Sequence, residues 1–146
     1  MKVVIQRVTK SIVTVDNKIV GKIDKGLNVL VGFTDTDTMS DLEYLKRKIL
    51  NLRIFDDENG IMNKSIKEIN GKILLVSQFT LYADTKKGNR PSYIKALNGE
   101  KAVVLYNQFI EMLSTEIEVE TGIFGANMQV EIENDGPITI IIDSKI

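Results

Sequence analysis

From Val3 to Val15 the chain is dominated by β-branched residues, a strand-like pattern. Ile12, Val13 and Val15 lead into Asp16-Asn17-Lys18, and Ile19-Val20-Gly21-Lys22-Ile23 returns. Two β-like runs about a short polar turn predict a hairpin. Lys25-Gly26 marks the next turn, and Leu27-Asn28-Val29-Leu30-Val31-Gly32-Phe33 reads as a mostly buried strand. The period then changes. Met39, Leu42, Leu45, Ile49 and Leu52 recur every three or four residues, the stripe of an amphipathic helix. Asp37, Thr38 and Ser40 are candidate N-caps, with Ser40 and Glu43 at capping-box spacing. Lys46, Arg47 and Lys48 lie toward the end where cations suit the helix dipole.

Arg53-Ile54-Phe55 reads as a short strand before the turn Asp56-Asp57-Glu58-Asn59-Gly60. After Asn70-Gly71, the run Ile73-Leu74-Leu75-Val76 predicts a buried strand. Gly88 and Pro91 make Lys86 to Ser92 a loop. A second helix is expected from about Gly99 to Thr115, striped by Ala102, Leu105, Phe109 and Met112. Val119 to Ile142 should supply two or three closing strands. No linker, repeat or low-complexity tract interrupts this order. The expectation is one α/β domain spanning residues 1–146. Largely antiparallel sheets would form a barrel-like stack with two main helices on one face, in layers α/β/β.

Composition narrows the chemistry. The 146 residues suffice for one substantial core. Net charge is −1, so a contact with RNA has to come from a local patch rather than a global basic field. The chain has no Cys and no His. That removes disulfides, thiol nucleophiles, Cys/His zinc sites and every imidazole base. Carboxylates, Lys, hydroxyls, backbone dipoles or the substrate itself remain as catalytic groups. The N-terminal apolar run Val3-Val4-Ile5 is too short for a signal peptide. No segment approaches the roughly 20 apolar residues of a membrane span.

The polar groups of interest follow the buried strand. Ser77, Gln78 and Thr80 appear where it should end, which is where a scaffold hands the chain to a site. They suit either a polar substrate or ordinary strand-end decoration. Thr80 can be a nucleophile only with a base beside it. Asp84 reads as an acid–base group or a surface turn residue. Lys86, Lys87 and Arg90 read as a phosphate clamp or a solvated basic loop. Phe79, Phe124 and Met128 suit a pocket or the core. Gly136-Pro137 lies between two β-like runs, where a proline is confined to an edge, a bulge or a turn.

These residues resemble a family in long blocks and in order. The blocks are Val3 to Val8, Asn51 to Phe55, Val76 to Asp84, Gly88 to Ser92, Thr121 to Val130 and Asn134 to Thr139. The chain resembles the D-aminoacyl-tRNA deacylases, also called D-tyrosyl-tRNA(Tyr) deacylases, from Met1 to about Ser144. The resemblance implies hydrolysis of the ester linking a D-amino acid, or glycine, to the 3′ end of tRNA, with L-aminoacyl-tRNA rejected. It implies a homodimer with active sites at the subunit interface and tRNA as the partner. Ser77-Gln78-Phe79-Thr80-Leu81 would form the pocket floor, with Thr80, Gln78 and Phe79 nearest the chemistry. Gly136-Pro137 would be cis and enter from the other subunit, its carbonyls holding the substrate amino group. Ala102, Phe124 and Met128 would line the adenosine end, and Arg7 would anchor the Gly136-Pro137 turn.

An aminoacyl ester is already activated, so the demand on a chain without His or Cys is modest. The expected enzyme is cytoplasmic and uses no metal or other cofactor and no membrane. Two other readings fit the same residues. One is a non-catalytic RNA-binding or interaction module, and the other is a D-stereospecific esterase acting on small molecules.

Overall fold

The structure, a computed structural model, describes residues 1–146. Strand β1 (Lys2–Val15) turns at Asp16-Asn17 into β2 (Lys18–Ile23), followed by β3 (Gly26–Gly32). Both turn residues have positive φ, 48° and 63°, the geometry of the tight hairpin turn that short polar side chains tolerate. The register shows β2 and β3 to be one return strand. Pairing to β1 runs in step from Val13↔Gly21 to Ser11↔Ile23 and resumes at Val8↔Gly26, ending at Lys2↔Gly32. The turn expected at Lys25-Gly26 is therefore a break within a long hairpin rather than a reversal.

Helix α1 (Met39–Asn51) follows, then the two-stranded ribbon β4 (Phe55–Asp56) and β5 (Met62–Lys64). Strand β6 (Lys72–Ser77) pairs parallel with β3, and β7 (Val119–Thr121) pairs parallel with β6. Helix α2 (Gly99–Ser114) lies between them in sequence, and β8 (Gln129–Asp143) returns antiparallel to β1. The six-stranded sheet is thus mixed, with its parallel pairs reached by helical crossovers. It curls until β7 lies on β2. A Cβ on Gly21 would overlap the Thr121 carbonyl, so the absence of a side chain there permits the closure. This is the expected single α/β domain with a barrel-like sheet and two helices.

Of the candidate caps Asp37, Thr38 and Ser40, the structure uses Thr38, so helix α1 begins two residues earlier than a Ser40–Glu43 capping box would place it. Thr38 is the N-cap, and the Asp41 carboxylate accepts from the Thr38 amide at 2.8 Å. Asp41 also accepts from Ser144 Oγ at 2.7 Å and Lys145 Nζ at 3.0 Å. Burial raises the Asp41 pKa, but these three donors together hold it below the usual carboxylate range.

The main core lies between sheet and helices. Val3, Ile5, Val29, Ile73 and Leu75 meet Leu42, Leu45 and Ile49 of α1 and Tyr106, Phe109 and Leu113 of α2. A smaller cluster of Val8, Val13, Ile23, Leu74 and Val76 fills the inside of the curled sheet. Strand β6 contributes alternately to both, which is why its apolar run is unbroken. No helix is long and apolar enough to cross a membrane.

Candidate functional site

Parallel β3 and β6 end together. Their last register pair is Val31↔Ser77, and the Gln78 amide donates to the Val31 carbonyl at 2.7 Å. Beyond that rung the chain turns into a short 3-10 helix, Phe79–Tyr82, pinned by Tyr82, which is 7 % exposed. The first amides of such a turn have no acceptor within it. A rigid strand end thus delivers Ser77, Gln78 and Phe79 to the surface.

They form the floor of a cavity of about 680 Å³. Ala102, from the first turn of α2, forms one wall, and Phe124 and Met128, between β7 and β8, form another. The Phe124 ring rests on Tyr106, centroids 5.6 Å apart, and the Tyr106 hydroxyl donates to the Leu75 carbonyl at 2.7 Å. Burial pushes the Tyr106 phenol pKa up, so it stays a donor. The wall is therefore tied to the strand that carries the floor. Tyr93 stands at the rim, edge-on to Phe79 with centroids 5.1 Å apart.

The lining is decisive for the chemistry. No Asp, Glu, Lys, Arg or His is among its 19 residues, and 12 are hydrophobic. The polar groups offered are hydroxyls, amides and backbone. Thr80 does not line the cavity. Its Oγ1 accepts a hydrogen bond from Gln78 Nε2, so it orients the amide beside the floor. Asp84 is drawn outward. The Lys86 amide at 3.0 Å and the Lys95 ammonium at 3.4 Å hold its carboxyl below the usual range.

Gly136 and Pro137 lie elsewhere. They are exposed and absent from the cavity. Pro137 is within β8 rather than between two strands. Strand β8 advances from Thr139 to Asn134 while β1 advances only from Gln6 to Val8, so the motif is a bulge on a strand with one free edge. The Gly136-Pro137 peptide is cis, and Gly136 has φ +131°. Arg7, 8 % exposed, lies behind the bulge. Its Nε donates to the Asp135 carbonyl at 3.2 Å and its Nη1 to the Ile54 carbonyl at 2.8 Å, bracketing the bulge against the segment before β4. Inside one chain, then, the floor and wall residues converge while Gly136, Pro137 and Arg7 remain apart from them.

Tyr93, Leu97, Asn98 and Asn127 also line the cavity and carry no signal in the apolar periodicity, because they lie in connections. An aromatic residue just after the Gly88-to-Pro91 loop is the one sequence cue for Tyr93.

Residues 4–143 match the family model described as D-Tyr-tRNA(Tyr) deacylase. The chain belongs to that family. Proteins named D-aminoacyl-tRNA deacylase from Flavobacterium psychrophilum and Clostridium acetobutylicum are 61 % and 56 % identical to it, over 99 % of this chain and 98 % of theirs. A solved structure named c-Myc DNA Unwinding Element Binding Protein superposes with TM-score 0.93 at 45 % identity, over 98 % of both chains. Another, described as a probable eukaryotic D-amino acid tRNA deacylase, has TM-score 0.82 at 20 % identity over 97 % of both, a likeness of fold. The deacylase is an aminoacyl-tRNA editing hydrolase that cleaves the ester bond of D-aminoacyl-tRNA, releasing tRNA and the D-amino acid.

Proposed function

We propose that each active site is shared between two copies of the chain, the cavity of one copy receiving the Gly136-Pro137 bulge of the other. The observation that carries this reading is the division within one chain. The cavity is complete on the side of Ser77, Gln78, Phe79, Ala102, Phe124 and Met128, and the remaining motif is exposed on a strand with one free edge. A long free edge is a liability that a partner strand or surface covers.

In this arrangement the terminal adenosine lies against Ala102, Phe124 and Met128, and the ester carbonyl lies over the floor. The bulge carbonyls accept from the substrate ammonium and leave no room for an L side chain. A cavity without ionisable acid or base groups has nothing to abstract a proton efficiently. Water therefore attacks the ester carbonyl with help from the neighbouring 2′-hydroxyl of the ribose. The backbone amide of Phe79 at the floor stabilises the developing oxyanion, and Gln78, held by Thr80, fixes the approach. The ester C–O bond breaks, and the ribose 3′-oxygen leaves with a proton.

Recognition through the α-carbon tolerates many side chains and also admits glycine. We therefore infer hydrolysis of glycyl-tRNA besides D-aminoacyl-tRNA, in the cytoplasm where charged tRNA is used. Deacylation of D-tyrosyl-, L-tyrosyl- and glycyl-tRNA, with light scattering on the same sample, tests this. Turnover of the D and glycyl esters by a dimer is expected. Comparable turnover of the L ester, or an active monomer, overturns it.

A further inference from the structure

We propose that the loop from Thr85 to Lys95 is a docking rail for the substrate RNA, its cations holding backbone phosphates and Tyr93 stacking on a base next to the terminal adenosine. The proposal rests on tRNA being the substrate and adds the surface that grips it outside the cavity.

The loop leaves the floor directly. It starts after the 3-10 turn and is closed by backbone pairing of Asp84 with Ser92, with N···O distances of 2.8 and 2.9 Å. It returns to the cavity at Tyr93, Ala96 and Leu97. Its charge is one-sided. Between Thr85 and Leu97 the cations are Lys86, Lys87, Arg90 and Lys95, with no acidic residue, in a chain whose net charge is −1. Only Lys95 is engaged, by Asp84 at its base. No carboxylate lies within ion-pair distance of Lys86, Lys87 or Arg90, and all three are exposed. Nine cations elsewhere in the chain also lack a carboxylate partner, so what sets the loop apart is that its cations lie together without an acidic residue, on the segment that leads into the cavity. Exposed cations left unneutralised beside a cavity raise the local concentration of an anionic substrate.

The aromatic surface adds the second component. Phe79 is 57 % and Tyr93 41 % exposed, unusual for rings in a folded chain, and their edge-to-face contact sets the Tyr93 ring at the cavity mouth. Ile94 beside it is 87 % exposed. Basic side chains followed by an exposed aromatic face are the components that hold single-stranded nucleic acid without reading its sequence. A ring at the mouth meets the base preceding the one inside, and cations further out meet phosphates of the strand leading there.

The test compares three substrates, full-length D-tyrosyl-tRNA, the D-tyrosyl ester of the trinucleotide CCA (the short ester) and the D-tyrosyl ester of adenosine. Parent turnover of the short ester establishes the deacylase site independently of the rail. Replacing Lys86, Lys87 and Arg90 together by Gln should raise KM for the full-length substrate about tenfold with kcat unchanged. The slope of log KM against log salt should fall by about two to three, one condensed counterion per lost phosphate contact. Turnover of the short ester should stay at the parent level. Tyr93→Leu should lower the preference for the CCA ester over the adenosine ester about fivefold or more, and Tyr93→Phe should restore it. Unchanged KM and salt slope in the triple variant overturn the rail, as does an equal loss on the full-length and CCA esters.

Discussion

Ser77-Gln78-Phe79 and Asp135-Gly136-Pro137 both interrupt apolar strands, and the fold holds them in opposite ways. The first ends a central parallel strand with core on both faces, so its backbone position follows from packing. The second bulges from a strand with a free edge and is held from behind by one guanidinium. The lesson is that a strand end can be placed by burial alone, whereas a bulge on a free edge needs a specific polar bracket, which is what the proposed reach into a second chain would require.

The largest effect is expected where the bulge is touched directly. Gly136 has φ +131°, and a Cβ there would lie 2.9 Å from Ile138 Cγ1, so Gly136→Val displaces the turn. Misplacement by about 1 Å costs about a hundredfold in rate, so kcat/KM for D-tyrosyl-tRNA should fall at least that far, beside a stability loss of about 1–3 kcal/mol from the strained backbone. A variant as active as the parent would remove the bulge from the site.

Arg7→Ala attacks the bracket. It leaves the Ile54 carbonyl buried without its donor, a loss of about 1–3 kcal/mol of stability, read from denaturant unfolding. The ratio of D- to L-tyrosyl-tRNA turnover should drop about tenfold, before the D rate itself falls as far, since about 1.4 kcal/mol of lost discrimination is tenfold. Unchanged discrimination would confine Arg7 to stability.

Thr80→Ala tests the floor. Its hydroxyl holds Gln78 and lies off the cavity lining, so the rate should fall less than about tenfold, the reach of one lost neutral hydrogen bond. Substrate lacking the terminal 2′-hydroxyl should lose more. Complete loss in a folded, tRNA-binding Thr80→Ala protein would make Thr80 a nucleophile instead.

Asp41→Asn, remote from both regions, should leave the rate alone and cost only about 1 kcal/mol at neutral pH, because all three of its hydrogen bonds are only partly buried. The folded pKa is below the unfolded one, so the carboxylate stabilises the fold above the ordinary carboxylate range. That contribution fades as pH falls below about 4, and the gap between parent and variant in acid unfolding should close there.

Much of this was legible in the sequence, for local reasons. The hairpin turn at Asp16-Asn17 and both amphipathic helices are specified by neighbours in the chain. The run Ile73-Val76 announced a strand buried on two faces. The fusion of β2 and β3 into one return strand was not legible, because register across Asp24-Lys25 is set by β1. Nor was the parallel pairing of β7 with β6, which depends on where α2 brings the chain back. Pro137 looked like a separator of strands because a strand that bulges around a proline has the same local pattern as two strands and a turn. The blocks at Ser77 and Gly136 were both readable as motifs, and within one chain only the first lines the cavity. Tyr93 and Asn127 were not readable, since connections acquire their neighbours only when the sheet curls.

The shared site can be tested by mixing two inactive proteins. One carries Gln78→Ala and Phe79→Ala in the floor, and the other carries Gly136→Val in the bulge. In a mixed dimer with sites shared across the interface, one site combines the intact floor of the second chain with the intact bulge of the first. Tagged, co-purified mixed dimers should therefore recover up to about half the parent rate on D-tyrosyl-tRNA, one working site of the two that dimerisation makes. Verified mixed dimers that stay as inactive as either variant alone would show that each chain builds its site by itself.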